Sequence, residues 1–309
     1  MPAVVRLREA SELDRVAYRA RLRRILDSID NLNDTADRDT IALFAELRRN
    51  VVAHIADLGD TPSATQYQRA RAGIDETITA WAERFGVRTD ELADQGFALG
   101  EELVTGPLAD AGAVIDVAGL GVTTDQARIL GQFRADLIGG VTDDLRRRIT
   151  VEIAGVATGA ATVSDAVKNI GRNLTDRNHF STITHRARAI VVTEVGRAQA
   201  LATQASQTKA AEQIPGLRKR WINAHLPGAR TTHLAVESAT APGGDPGPIP
   251  IDGEFTVNGT KALYPRDPSL PASESVNCHC VSVTVITDTV LADPLAPLTA
   301  NDEARAATQ

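Results

Sequence analysis

An α+β protein is predicted, with an elongated, mostly α-helical N-terminal and central part and a small β-containing C-terminal domain. Three observations lead there. Apolar residues recur at steps of three and four through roughly the first 215 positions, the spacing that lines one face of a helix. Proline and glycine then crowd residues 242–250, which marks loops rather than helices. Finally, CVSVTVI at residues 280–286 alternates apolar and polar side chains, the period of a half-buried strand.

The elements follow in order. Ser11 with Asp14 resembles an N-terminal cap, and Leu13, Val16, Leu22, Leu26 and Ile29 supply an apolar face. Residues 31–39 are polar and are expected to turn. A second helix carries Phe44, Leu47, Val51, Ile55 and Leu58 and stops at Gly59. Pro62 and Ser63 start a third, with Tyr67, Ile74, Ile78, Trp81 and Phe85 on its stripe, and Gly86 is expected to end it. A shorter helix follows over residues 90–102, and residues 105–121, rich in Gly and Ala, read as a connection. Thr124-Asp125 caps a helix that Gly139-Gly140 should break. Thr142-Asp143 caps the next, with Leu145, Ile149 and Ile153 inward, and Ser164-Asp165 caps a short one. A long helix spans residues 182–211, with Glu194 on its inward face beside Thr193 and Arg197, and Pro215-Gly216 ends it. A buried carboxylate needs a partner, so Arg197 or a distant arginine is expected to pair with Glu194. Residues 217–222 and 280–286 read as strands. The chain thus divides into a helical N-terminal region (1–120), a central helical region (121–215), a small α+β domain (216–287) and an extended tail (288–309).

Composition narrows the function. Hydrophobic residues make up 43% but aromatic ones 4%, so the core rests on Ala, Leu, Ile and Val. The net charge of −7 argues against a dedicated duplex-DNA binder. Residues 177–235 run the other way. Arg177, Arg186, Arg188, Arg197, Lys209, Arg218, Lys219, Arg220 and Arg230 face only Glu194 and Glu212, a basic middle that would suit packaged DNA or an acidic partner as well as a solvated helix face. The two cysteines stand one residue apart, which excludes a disulfide-stapled secreted fold. Neither a signal peptide nor a membrane-length apolar run is evident, so no membrane role is expected. A P-loop is absent as well, which excludes a packaging ATPase.

One constellation carries possible chemistry. WINAHLPGARTTH supplies Trp221, Asn223, His225, Arg230 and His233, and NCHC supplies Asn277, Cys278 and Cys280. On an extended segment the two cysteine side chains point to one face while His279 points to the other. With His233 and His225 they would make a tetrahedral thiolate–imidazole set suited to one structural zinc. The alternatives are small buried cysteines or a cysteine nucleophile with His233 as base.

Together these residues resemble the phage Mu F-like family of head-morphogenesis, or minor capsid, proteins. The resemblance covers residues 124–287. It rests on RARAIVVTEVGRAQALA with Thr193 and Glu194, on Trp221, on Arg230 and His233, on a Pro-rich loop with Asp267 between Pro265 and Pro268, and on Asn277, Cys278 and Cys280. Two departures stand out: His225 replaces an acidic residue frequent after the tryptophan, and His279 replaces an arginine frequent between the cysteines. The resemblance implies a non-enzymatic protein of the virion head interior or portal vertex, made in the host cytoplasm. Its implied partners are the phage portal protein and the major capsid or scaffold protein, and it would assist head assembly and DNA packaging or ejection. The same C-terminal domain occurs within longer toxin-bearing phage proteins. The alternative is a zinc-dependent nucleic-acid-binding protein or nuclease.

Overall fold

The computed structural model describes residues 12–59, 61–113, 121–175 and 183–286. The protein is α+β with most of its described residues in helices: α1 (Glu12–Ala56), α2 (Ala64–Asp110), α3 (Thr124–Ala157), α4 (Val163–Thr175), α5 (Ile183–Gln213), α6 (Thr231–Thr240) and α7 (Ala272–Ser275). The strands are β1 (Leu217–Ile222), β2 (Ile249–Pro250), β3 (Phe255–Val257), β4 (Thr260–Ala262) and β5 (Val281–Ile286). The tail over residues 288–309, Arg177 and the Ser11 cap lie outside the described residues.

Three expected breaks are absent, and the helices are correspondingly longer. Residues 31–39 stay inside α1, because Leu32, Asn33 and Ala36 are buried and Thr40 donates its hydroxyl to the Ala36 carbonyl at 2.8 Å. No glycine or proline interrupts that stretch, so packing on one side outweighs its polarity. Gly86 sits inside α2, between the buried Phe85 and a buried Thr89 that bonds back to the Phe85 carbonyl at 2.7 Å. Gly139-Gly140 sits inside α3 beside the buried Ile138 and Val141. A helical glycine costs about 1 kcal/mol, less than the burial on either side of it supplies. The connection expected over 105–121 is likewise helical up to Asp110, with Pro107 inside α2.

Caps are reciprocal, and two shift by a residue or more. Ser63 exchanges bonds with Gln66 at 2.8 and 3.3 Å, Thr123 with Gln126 at 3.0 and 3.3 Å, and Thr162 with Asp165 at 3.2 and 3.1 Å. Each satisfies helix-start N–H groups at both ends of a four-residue box. Thr123 and Thr162 thus take the roles expected of Thr124 and Ser164.

The chain forms two compact units, each assembled from separate stretches that cut across the sequential division. One draws on the described residues of Asp34–Leu92 and Arg128–Val192. Its interior centres on Trp81, which meets Phe44 edge-on at 4.7 Å and stacks on Phe85 at 5.0 Å. The Trp81 indole donates to the Leu43 carbonyl at 3.1 Å. Ion pairs ring it: Arg84–Glu46 at 2.8 Å, Arg88–Asp39 at 2.7 Å and Arg134–Asp90 at 2.7 Å.

The other unit draws on the described residues of Met1–Asn33, Ala93–Ala127 and Thr193–Gln309. Its antiparallel sheet has the order β2-β1-β5, with Leu217 opposite Ile286 and Ile222 opposite Val281; β3 and β4 form a separate hairpin. Tyr18, Leu22, Ile25 and Ile29 from α1 share one apolar cluster with Leu103 and Leu108 of α2, Ile214, and Val281 and Val283 of β5. The Tyr18 hydroxyl donates to the Thr284 carbonyl at 2.8 Å. Burial pushes that phenol well above its ordinary pKa, against weaker pulls from Arg19 and Arg220. Helices α2 and α5 approach closely at Gly96 and Gly100, where an added Cβ would collide with the Val195 and Gln199 carbonyls. No described helix is long and apolar enough to cross a membrane.

Candidate metal centre

Strand β1, helices α5 and α6 and the loop before β5 place the site residues. β1 delivers Trp221, fully buried, against Phe255 at 5.3 Å and His233 at 5.4 Å, both edge-on. Its backbone N–H donates to Thr240 Oγ1 at 3.1 Å, which joins the strand to the end of α6. His233 lies in the first turn of α6, and its N–H donates to the Arg230 carbonyl at 3.1 Å. Residues 276–280 form the loop between α7 and β5. Arg230 Nη2 donates to the Val276 carbonyl at 2.6 Å, and Thr193 Oγ1 accepts the Asn277 N–H at 3.1 Å. Asn277 has a positive φ of 53°, a conformation asparagine tolerates better than most residues. The loop is therefore clamped on two sides, and the extended stretch that follows sends Cys278 and Cys280 inward.

His233, Cys278 and Cys280 offer ligand atoms that all lie within 4.8 Å of one another. The imidazole Nδ1 stands 3.6 Å from Cys278 Sγ and 3.3 Å from Cys280 Sγ. Sulfur and nitrogen bound tetrahedrally to zinc at about 2.3 and 2.0 Å stand roughly 3.5 Å apart, so the spacing fits a metal ion. All three side chains are buried, at 1–2% exposure. The group can therefore hold a metal through two thiolates and one imidazole.

The electrostatics move the two thiols in opposite directions. The Cys278 thiol is held well below its ordinary pKa by a hydrogen bond from Cys280, opposed by burial and aided by His233 and the Arg266 charge. Cys280, sharing that bond and also buried, is pushed up. Asn223 Nδ2 donates to Cys280 Sγ at 3.5 Å, and the Cys280 N–H points to Cys278 Sγ at 3.4 Å.

The remaining predicted residues sort themselves clearly. Glu194 pairs with Arg197 inside the protein, with side-chain exposures of 4% and 9%, as expected of a buried carboxylate. Arg197 Nε then donates to the Arg266 carbonyl at 3.0 Å. Asp267 caps its own turn, accepting the Leu263 and Ser269 N–H groups at 2.9 Å each. His225 stands apart from the other three candidate ligands: its side chain is 66% exposed, and Nε2 lies 3.0 Å from Glu237 Oε2. A positive φ of 52° at His225 and a bond from its N–H to Asn223 Oδ1 at 2.7 Å turn the backbone outward there. The set is thus Cys2His, with three protein ligands instead of the predicted four. His279, intermediate in exposure, is outside it.

Described residues of the basic middle have partners within the chain, some of them at the surface. Arg186 pairs with Asp144, Arg188 with Asp37 and Lys209 with Glu212. Arg218 donates to the Pro248 carbonyl at 3.1 Å, and Lys219 and Arg220 are buried.

Several important residues gave no sequence signal. Arg266, in the Pro-rich loop, is fully buried and donates to the Gly196 carbonyl at 2.9 Å. A side chain at Gly196 would strike its guanidinium. Glu274 is buried at 5% exposure, accepts bonds from Thr232 at 2.9 Å and Asn258 at 3.1 Å, and lies 3.0 Å from His233 Nε2. Only the fold reveals that a carboxylate four positions before Cys278 turns inward.

No family model matches the chain, and no solved structure does. Two curated proteins are similar over part of it. Uncharacterized protein YqbB of Bacillus subtilis (strain 168) is 30% identical over 144 residues, 45% of this chain and 43% of that protein. The NAD(+)--arginine ADP-ribosyltransferase EFV of Enterococcus faecalis is 33% identical over 101 residues, 33% of this chain and 19% of that enzyme. The chain spans less than half the length of either relative.

Proposed function

We propose that this protein is a bacteriophage minor capsid, or head-morphogenesis, component that acts at or near the portal, and that its Cys2His centre holds one structural zinc. The observation that carries the reading is convergence. Thr193, Trp221, Arg230, His233, Asn277, Cys278 and Cys280 come from distant parts of the chain, and they meet around one buried cluster. Each holds a loop, a helix end or a neighbouring ring. Trp221, His233, Cys278 and Cys280 are buried, and groups so placed serve shape, since a substrate would have to displace the packing to reach them. Zinc bound there would tie α6 to the loop before β5 and supply folding energy that a core poor in aromatic residues lacks.

On this reading the protein is not an enzyme, and the segment shared with the Enterococcus transferase is the assembly module rather than the transferase. The pairing of Arg186, Arg188 and Lys209 with carboxylates of the same chain supports protein partners, the portal first and the major capsid or scaffold protein second, over DNA.

The test is co-expression with the portal protein of the same phage, followed by size-exclusion chromatography and metal analysis. Co-elution with about one zinc per chain is expected, with the metal lost in Cys280→Ser. Failure to co-elute would sink the assembly role, and a metal-free wild type would sink the zinc. Transfer of ADP-ribose from NAD+ to an arginine acceptor would overturn the non-enzymatic reading.

A further inference from the structure

The geometry points to Glu274 as the residue that positions His233 for the metal, a role that rests on the zinc reading above. His233 offers Nδ1 to both sulfurs, at 3.3 and 3.6 Å. An imidazole can instead bind through Nε2, and what the other nitrogen meets decides between them. Here the other nitrogen meets Glu274: Nε2 lies 3.0 Å from Oε2, and the atom is buried with no hydrogen-bond partner of proper alignment elsewhere. The contact has the length of a hydrogen bond without its alignment.

The carboxylate is itself held. Oε2 accepts the Thr232 hydroxyl at 2.9 Å and Oε1 accepts Asn258 Nδ2 at 3.1 Å. Asn258 sits in the turn of the β3–β4 hairpin with a positive φ of 48°. Two separate segments, α6 and that hairpin, thus converge on a carboxylate carried by α7, which also faces the outer nitrogen of the candidate ligand. A carboxylate on the outer nitrogen of a metal-bound imidazole fixes the tautomer and strengthens the ligand, and its removal weakens binding roughly 10- to 100-fold. Packing alone does not account for the arrangement. Leucine would fill the same space, whereas Thr232 and Asn258 both donate to an acceptor.

The experiment uses the full chain as Glu274→Gln, Glu274→Ala and Asn258→Ala. It reads zinc affinity by competition with a chromophoric chelator and the His233 ring nitrogens by long-range 1H–15N NMR of the zinc-loaded protein. Wild type is expected to show a metal-bound Nδ1 and a protonated Nε2. Glu274→Ala should lose roughly 10- to 100-fold in affinity and its sharp Nε2–H signature. Glu274→Gln, which keeps an acceptor oxygen, should recover part of both. Asn258→Ala should lose less, with the tautomer unchanged. Circular dichroism at saturating zinc separates affinity from folding, and a variant that fails to fold is replaced in the comparison by Glu274→Gln. If wild type binds zinc and Glu274→Gln and Glu274→Ala bind it equally well, the positioning role is wrong and the zinc reading stands. If wild type and Cys280→Ser are equally free of zinc, both fall.

Discussion

Two tryptophans mark two ways of making an interior. Trp81 lies among Phe44 and Phe85 on helices whose ion pairs stay near the surface. Trp221 lies among His233, Phe255 and two cysteines, with Arg266, Lys219 and Glu274 buried nearby. The first interior is built on packed rings and, among the described residues, buries few charged groups, with Arg134 paired to Asp90. The second admits them and must satisfy each one, since an unpaired buried polar group costs about 1–3 kcal/mol. Local periodicity suffices to specify the first. The second depends on partners far apart in sequence, which makes it sensitive to single losses and to solution conditions.

Metal removal should separate the two regions most sharply. Chelation, or Cys278→Ser, is expected to cost the Trp221 region about 5 kcal/mol or more, read by urea unfolding in single-tryptophan variants. The Trp81 signal should shift far less, and equal shifts would erase the distinction. Next in size, Trp81→Ala should cost about 4 kcal/mol through the cavity left against Phe44 and Phe85, with no change in zinc content. Arg197→Met should cost about 3 kcal/mol, because it strands Glu194 inside the protein. Adding Glu194→Leu should recover most of that loss, and a double variant no better than the single would contradict a pairing origin.

Lys219 offers a test by pH. Its ammonium is buried, donates to Gln204 at 2.8 Å and the Leu263 carbonyl at 2.7 Å, and stands 5.2 Å from the Phe255 ring. Burial lowers its pKa to about 8 from 10.5, against smaller upward pulls from Asp252, Asp267 and Glu254. Below pH 8 both folded and unfolded chains carry the proton, and the folded state bears the full burial cost. Between pH 8 and 10.5 the unfolded chain binds more protons, so this group makes stability rise with pH, by at most about 3 kcal/mol. Lys219→Met should flatten that rise in denaturation midpoints measured across the window. The smallest effect belongs to the exposed Arg84–Glu46 pair. Arg84→Ala should change stability by less than about 1 kcal/mol and lose even that at high salt.

The legible parts of the fold were those written in short-range pattern. The apolar stripe of Phe44, Leu47, Val51 and Ile55, the strand Leu217–Ile222 and the alternating run into β5 appear where periodicity put them. Helix ends read from glycine alone were misplaced at Gly86 and Gly139, where burial of the flanking residues carries the helix through. In the site, Cys278 and Cys280 both turn inward, as alternation along an extended segment would place them, and Glu194 pairs with Arg197, one of the two partners that its burial left open. His225 did not join them, because a left-handed backbone and Glu237 turn it to solvent.

What the sequence determined alone was therefore secondary structure type, the α+β class and the orientation of near neighbours, since these depend on side-chain periods of two and 3.6 residues. Tertiary structure alone decided that His233 meets thiols 45 and 47 positions away, that Glu274 backs its ring, and that Arg266 threads beside Gly196. Those contacts join segments whose spacing carries no period. Their geometry exists only once the helices and the sheet have closed around them.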